Sequence, residues 1–445
     1  MRVEGFYAKG VFGYMDFNIN FNEDVSFLVG GNGSGKTTAL KLMNALVNPN
    51  FRELVQIPFD QCSIKVKQYD TIKIISASTH DGVISLTVSG CHSTLGLPVF
   101  SSSEFGFYNN REKKFEEFID EINLRNAEHI VVKEITKISS PIFLGLDRRT
   151  GSSDNNREDY FHEREFWLNK KNPQFRISKR LITGSIGISL METEMSVQRA
   201  YRRIRELEDK QSNKLRNKIL LSSFQYTKTT NNEFDGLNQS TGEDILLARQ
   251  MEIKEAISNI VGKDSSLSTE VDKFFNDISN LFKDMKQNSS GISIEWLLNK
   301  AQIERMKNIV DIIDEYKSKI DSFYKPINDF LNTVNEFYSD SKKHLKVDAV
   351  GQLVVERPDG KDCTIEGLSS GERQLLVIFS HAYFNRNSIK SNVFIIDEPE
   401  LSLHLGWQEK FAETIFLINP NSQFILATHS PEIIGRNKNK AIKCR

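Results

Sequence analysis

The feature that most constrains this chain is a glycine-rich segment between an apolar run and a helical pattern. Residues 30–37 read Gly-Gly-Asn-Gly-Ser-Gly-Lys-Thr and fill the pattern G-x-x-x-x-G-K-[ST]. Residues 25–29 predict a strand, and residues 38–46 predict a helix. Glycines let the backbone curl so that several N–H groups point at one anion, and the helix that follows adds the positive end of its dipole. The segment therefore predicts a phosphate-binding loop.

The loop supplies a set of candidate nucleotide ligands: Gly30, Asn32, Gly33, Ser34, Gly35, Lys36, Thr37 and Thr38. Lys36 is expected to reach the β- and γ-phosphates, and the Thr37 hydroxyl is expected to bind Mg²⁺. The alternative is a strand–turn–helix unit with a glycine turn and an incidental lysine. The strand and helix patterns on either side disfavour that alternative.

Composition narrows the class of protein. The 445 residues allow two or three domains, and a net charge of −1 excludes a bulk polycation, so any contact with nucleic acid requires a local patch. The four cysteines lie far apart without metal-type spacing, which favours reduced thiols. The sequence shows neither an apolar leader nor a run of about 18–20 apolar residues, so we expect a cytoplasmic protein that does not enter a membrane.

Alternating apolar and polar residues indicate β-structure in the first third of the chain. Strands are predicted at 6–8, 12–21, 62–67, 71–76, 82–88 and 141–147. Polar turns separate the segments between 62 and 88, which favours an antiparallel meander. Phe12 or Tyr14 is a candidate for stacking on an adenine ring, with packing against the sheet as the alternative. Later, residues 345–356 predict a β-hairpin that turns near Gly351.

The middle of the chain has a helical pattern. Apolar residues between 303 and 338 alternate at spacings of three and four, with Lys317 in the seam, and Pro326 is expected to kink or divide this helix. A shorter pattern at 271–285 suggests an antiparallel partner helix, with a compact bundle as the alternative. Basic residues between 197 and 218 could face nucleic acid, but interleaved acidic residues favour a solvated helix.

Three further segments carry chemistry near the end of the chain. Residues 368–374 read Leu-Ser-Ser-Gly-Glu-Arg-Gln before a helical run, which could also be an ordinary serine-capped helix start. A predicted buried strand ends in Asp397 and Glu398, where Asp397 can hold Mg²⁺ and Glu398 can polarise the attacking water. A second buried strand ends at His429, which could sense the γ-phosphate, with a core histidine as the alternative.

Taken in order, these motifs resemble those of the ABC-type ATPase superfamily. About 330 residues separate the phosphate loop from Leu368, an insert too large for a compact transporter cassette, and in carrying such an insert the chain resembles the SMC, Rad50 and RecF branch. Asp-Glu-Pro-Glu-x-x-Leu-His at 397–404 resembles RecF-like and OLD-like ATPases, including the ATPase subunits of bacterial anti-phage systems of the Septu and PARIS types. The resemblance implies an α/β head, with a mixed or parallel sheet, helices and an antiparallel β lobe, interrupted by a helical, partly coiled-coil insertion.

The resemblance also implies domain bounds, ligands and partners. We expect a first head lobe at 1–185, a helical insertion at 186–343 and a second head lobe at 344–445. ATP and Mg²⁺ are the implied ligands, and Ser369 and Gly371 are expected to contact the γ-phosphate of a nucleotide bound to a partner subunit. This implies a homodimer or higher homo-oligomer with composite ATP sites.

The sequence is compatible with three functions. The first is an ATP-hydrolysing sensor or scaffold in anti-phage defence, which controls a separate nuclease effector. The second is a RecF/Rad50-like repair ATPase that binds DNA across an ATP-closed dimer. The third is a scaffold that binds nucleotide without hydrolysis, which Glu398 argues against.

Overall fold

A computed structural model describes residues 1–48, 51–99, 111–146, 185–223, 249–251, a few positions between 269 and 280, 294–384 and 393–444. The chain divides into two compact units. The first contains residues 1–199 and 330–445, and the second contains residues 200–329. The second unit lies within the range predicted for the helical insertion.

A five-stranded sheet lies at the centre of the first unit, and all of its strand pairs are parallel. Its strands in spatial order are β14 (Ala441–Lys443), β3 (Val25–Val29), β13 (Gln423–Ala427), β12 (Val393–Asp397) and β8 (Ile142–Leu144). The apolar runs at 25–29 and 393–397 form strands as predicted, and β8 confirms the strand predicted at 141–147.

This sheet is covered on both faces, which explains why its strands read as continuous apolar runs. In β12, Val393 and Ile395 join the core formed with α1 (Lys36–Val47) and the antiparallel sheet. Phe394 and Ile396 join a second core on the opposite face. That core also contains residues of α7 (Ser370–Phe384) and α8 (Leu405–Ile418).

A six-stranded antiparallel sheet forms the β lobe. Its spatial order is β2 (Met15–Asn20), β1 (Arg2–Val11), β4 (Gln61–Gln68), β5 (Thr71–His80), β6 (Val83–Val88) and β7 (Leu95–Pro98). The pairing of β4, β5 and β6 confirms the predicted meander. The prediction of a strand across 12–21 was wrong at its start, because Phe12 and Gly13 have φ values of 51° and 80° and form the turn before β2.

A small three-stranded antiparallel sheet has the order β11 (Asp362–Thr364), β10 (Leu353–Glu356) and β9 (His344–Val347). The β9–β10 pair confirms the predicted hairpin. Its turn contains Gly351, whose N–H donates to the Asp348 carbonyl at 3.1 Å. The other helices are α2 (Arg52–Gln56), α3 (Arg111–Asn126), α4 (Ile130–Thr136), α5 (Ser185–Ser223), α6 (Ile294–Tyr338) and α9 (Pro431–Ile434).

In the second unit, α5 and α6 contact each other in antiparallel order. The Tyr324 hydroxyl donates to Glu208 at 2.8 Å, and further along both helices Lys218 pairs with Glu315. The partner helix predicted at 271–285 lies largely outside the described residues, so α5 is the partner that the described contacts identify. Of the kink or division expected at Pro326, the division was wrong, because α6 continues through this residue. Pro326 lies on the exposed side, while Ile327 beside it is buried.

Among the residues that the structure describes, no helix combines the length and the apolar character that a membrane span requires.

Candidate active site

The candidate site lies at the carboxyl ends of β3, β12 and β13, where parallel strands direct their following loops to the same edge of the sheet. The phosphate loop connects β3 to α1, as predicted. Gly33 and Gly35 adopt left-handed φ values of 79° and 86°. Gly35 is also packed closely, since a Cβ there would lie 2.7 Å from Phe17 Cζ. The loop is therefore held against β2 by a contact that requires glycine.

Lys36 is the first residue of α1, and it is buried under the loop with 4% exposure. Its Nζ donates to the Gly30 carbonyl at 3.1 Å and lies 2.6 Å from His429 Nε2. The lysine and the histidine, which are 393 residues apart in sequence, therefore meet at this edge.

Glu398 completes the cluster. Its Oε1 lies 3.1 Å from His429 Nε2, and its backbone N–H donates to the Ala427 carbonyl at 2.8 Å. Neutral imidazole can accept at Nε2 from Lys36 or, in the other tautomer, donate from Nε2 to Glu398. One tautomer cannot do both, so His429 lies between two competing partners.

The electrostatics of the site suit a proton acceptor. Burial raises the pKa of Glu398 to about 7, with a further contribution from the nearby carboxylate of Glu400, while Lys36 opposes the shift. A carboxylate whose pKa lies near neutrality can take a proton from water during the reaction and release it afterwards. Glu398 also has a left-handed φ of 47°, an uncommon conformation for this residue type.

The remaining groups at this edge fit a nucleotide with Mg²⁺. Ser34 Oγ is buried without a hydrogen-bond partner among the described residues, so the loop holds a donor that a phosphate oxygen would satisfy. Asp397 is fully buried at the end of β12, and Thr37 lies in the first turn of α1. A hydroxyl and a carboxylate are oxygen ligands of the kind that Mg²⁺ prefers, and this ion commonly takes its remaining ligands from phosphate and water.

The segment at 369–372 forms a capping box at the start of α7. Ser369 Oγ accepts from the Glu372 N–H at 3.3 Å, and Glu372 Oε2 accepts from the Ser369 N–H at 2.6 Å. Ser369 therefore caps α7, which is the serine-capped helix start that the sequence allowed as an alternative. Gly371 is required by packing, because a Cβ there would lie 2.4 Å from the Ser402 carbonyl oxygen. Ser369 itself is exposed, so its side chain is accessible to a partner.

Two carboxylates that lie within the quoted motifs, but were given no role from the sequence, also shape the site. Glu400 Oε1 accepts from the backbone N–H groups of His429 and Ser430. Glu372, which is 2% exposed, accepts from Ser341 and Lys343, each at 2.7 Å. The S-x-x-E pattern at 369–372 could have revealed part of the role of Glu372. No sequence signal connects Glu400 with the backbone of residues 428–430, which follow β13 and form the histidine loop.

Phe12, Tyr14 and His404 have surroundings that differ from those of Lys36, Glu398 and His429. Phe12 and Tyr14 are 46% and 63% exposed in the turn before β2, so neither is a buried residue of the sheet core. The His404 ring lies 4.4 Å from the Trp407 ring, and its Nε2 is 3.6 Å from Asp340.

The chain matches the AAA ATPase domain family over residues 12–434. It belongs to this family. The prediction of an ATPase is thereby confirmed at the level of the family. The chain is also similar to a retron Vc95 probable ATPase of Vibrio cholerae serotype O1 biovar El Tor, with 23% identity over 190 residues that cover 38% of this chain and 37% of that protein.

A second relative is endonuclease GajA of Bacillus cereus strain VD045, with 22% identity over 173 residues that cover 36% of this chain and 30% of that protein. The matches thus span about a third of the length of these two relatives. Among solved structures, the chain is similar to an Smc head domain with an extended coiled coil from Pyrococcus furiosus, with 13% identity and a TM-score of 0.39 over 100% of this chain and 94% of that one. An SMC head domain from Thermotoga maritima gives 11% identity and a TM-score of 0.37 over 99% and 92%.

Proposed function

We propose that this chain binds ATP with Mg²⁺, hydrolyses it, and acts as the sensor or scaffold subunit of a bacterial anti-phage defence complex. In this proposal a separate nuclease effector is held or released according to the nucleotide state. The observation that supports hydrolysis most directly is the meeting of Lys36, Glu398 and His429 at one edge of the parallel sheet.

Each residue of the site has a distinct role in the proposed reaction. The loop N–H groups, Ser34 and Lys36 bind the phosphates, and Lys36 neutralises charge that develops on the γ-phosphate. Glu398 orients the attacking water and accepts its proton, for which its raised pKa is suited. Thr37 and Asp397 would hold Mg²⁺, which neutralises phosphate charge when bound.

His429 gives the site a means to respond to nucleotide. In the structure its ring lies against Lys36, the same group that is proposed to bind phosphate. A γ-phosphate beside Lys36 would compete for that ammonium group, and His429 could then donate to the phosphate or to Glu398. This contact supports the proposal that the histidine distinguishes ATP from ADP.

The proposal also includes a homo-oligomer and a separate effector. Ser369 and Gly371 are proposed to complete the ATP site of a second copy, so that ATP closes a homodimer or higher homo-oligomer. The exposure of Ser369 supports this role. The defence role is supported by the Asp-Glu-Pro-Glu-x-x-Leu-His segment and by the similarity to a retron ATPase and to an endonuclease.

The proposal is tested with Glu398→Gln, which keeps the shape of the side chain but removes the proton acceptor. We expect ATP turnover to fall at least about 100-fold, as for the loss of a general base, while nucleotide affinity is retained. Light scattering with ATP should then show a stable dimer or larger assembly. Glu409→Gln on the exposed side of α8 is the matched control and should turn over ATP like the wild type.

Two results would contradict the proposal. Turnover by Glu398→Gln at the wild-type rate would remove Glu398 from its role. Robust metal-dependent cleavage of DNA or RNA by the purified chain alone would contradict the assignment of nuclease activity to a separate effector.

A further inference from the structure

We propose that Glu400 is a positioning residue for His429, whose backbone it holds so that the imidazole ring lies between Lys36 and Glu398. This inference rests on the proposed ATP hydrolysis and adds a residue to it. Glu398 and Glu400, two residues apart, thus contact the same histidine, one at its ring and the other at its backbone.

The contacts of Glu400 are directed at the start of the histidine loop. Its Oε1 accepts from the His429 N–H at 2.5 Å and from the Ser430 N–H at 3.1 Å. Hydrogen bonds to an ionised carboxylate are roughly twice as strong as neutral ones. One oxygen atom therefore fixes the backbone of both residues that follow Thr428.

The rest of the loop has its own support. Ser430 Oγ accepts from the N–H groups of Glu432 and Ile433 and so caps α9, and it donates to Gln408 at 2.6 Å. Ser430 N–H also contacts Thr428 Oγ1 at 3.0 Å. For the His429 N–H, the described hydrogen bond is the one to Glu400. Loss of Glu400 should therefore affect His429 more than α9.

Glu400 is itself held in place by the turn that contains it. The Leu403 N–H donates to the Glu400 carbonyl at 2.9 Å, and the Leu401 N–H donates to the Glu398 carbonyl at 3.1 Å. Gln374 in α7 donates to the Pro399 carbonyl at 3.2 Å. These contacts fix the backbone that carries the Glu400 side chain, as a positioning role requires.

The consequence for the reaction follows from geometry. Displacement of a catalytic group by about 1 Å can cost about 100-fold in rate. Without Glu400, the imidazole would lose its fixed distance to Lys36 and Glu398, whereas the loop that binds phosphate would be unchanged. The expected signature is a loss of kcat with little change in nucleotide affinity.

Three variants of the full chain separate positioning from general destabilisation. Glu400→Ala removes both acceptor contacts and should lower kcat at least tenfold, with the affinity for a fluorescent ATP analogue within twofold of the wild type. Glu400→Gln retains an oxygen that can accept both N–H groups and should recover most of kcat. Glu432→Ala removes a carboxylate that contacts the Ser430 hydroxyl but not the His429 backbone, and kcat should stay within twofold.

Hydrogen–deuterium exchange of the peptide that spans residues 427–433 provides a readout independent of catalysis. We expect its exchange to be at least tenfold faster in Glu400→Ala and close to wild type in Glu400→Gln. Wild-type exchange in Glu400→Ala, or full kcat in that variant, would overturn the inference and leave the proposed hydrolysis intact. A wild-type chain that does not hydrolyse ATP would overturn both.

Discussion

The phosphate loop allows a graded prediction from three glycine-to-alanine substitutions. Gly31 has open space around it and no left-handed φ, Gly33 has a left-handed φ in open space, and Gly35 has both a left-handed φ and close neighbours. The three variants make the same chemical change in one loop. Their differences should therefore report backbone conformation and packing separately.

The expected changes in the free energy of unfolding follow from the φ value and the neighbours of each glycine. Alanine at Gly31 should be neutral or stabilising by up to about 1 kcal/mol, because it restricts the unfolded chain. Alanine at Gly33 should cost about 1–2 kcal/mol for its left-handed backbone. At Gly35 the same backbone cost applies, and a Cβ 2.7 Å from Phe17 and 3.0 Å from Met15 adds about 1–3 kcal/mol of overpacking.

The assay is urea unfolding of each variant, combined with titration of a fluorescent ATP analogue. We expect the stability order Gly31→Ala, Gly33→Ala, Gly35→Ala from most to least stable, with a total span of about 2–6 kcal/mol. Nucleotide affinity should fall most in Gly35→Ala, since a displaced β2 contact changes the loop geometry. Equal stability of the Gly31 and Gly35 variants would refute the packing of the loop against β2.

Two further predictions concern charged groups. Lys36→Ala should weaken ATP binding at least tenfold, whereas Lys41→Ala in the same helix should not; unchanged affinity in the first variant would remove Lys36 from the phosphate site. Burial opposes the ionisation of Glu372, but Lys343, the Ser369 N–H and Ser341 together lower its pKa. A lowered pKa stabilises the fold above the ordinary value of about 4.3, and that stability is lost as the pH falls below it. Wild-type melting temperature should therefore fall more steeply below about pH 4 than that of Glu372→Gln; parallel acid profiles would contradict this.

The chemistry-bearing segments could be predicted because each combines a local pattern with a strand end. Buried parallel strands are apolar throughout, and the polar residue that follows such a strand lies at the edge of the sheet. This logic predicted that β3, β12 and β13 end beside Lys36, Glu398 and His429, whose roles in the reaction remain proposals. It required no knowledge of side-chain contacts.

Contacts between distant segments could not be predicted in this way. Gln423 donates from its amide to the Val3 carbonyl and accepts from the Val3 N–H, a pairing across 420 residues that no local pattern encodes. The contact between α5 and α6 was also not predicted, because any helix with an apolar stripe can pack against another. Pro326 was expected to kink or divide α6, yet the helix is not divided, because an exposed proline removes one hydrogen bond while buried neighbours such as Ile327 still favour the helix.

The turn at 398–403 contacts both the histidine loop and the start of α7, two segments that lie apart in the sequence. Through Glu398 and Glu400 it contacts the histidine loop, and through Pro399 and Ser402 it contacts the start of α7. The Ser402 carbonyl leaves no room for a side chain at Gly371, and both Glu398 and Ser402 have left-handed φ values, so the turn has few ways to relax. A nucleotide that moves His429 would therefore act on the same short turn that contacts Gly371 and Gln374 at the start of α7. We therefore expect this turn to couple the proposed ATP site of one subunit to the surface that the subunit would present to its partner.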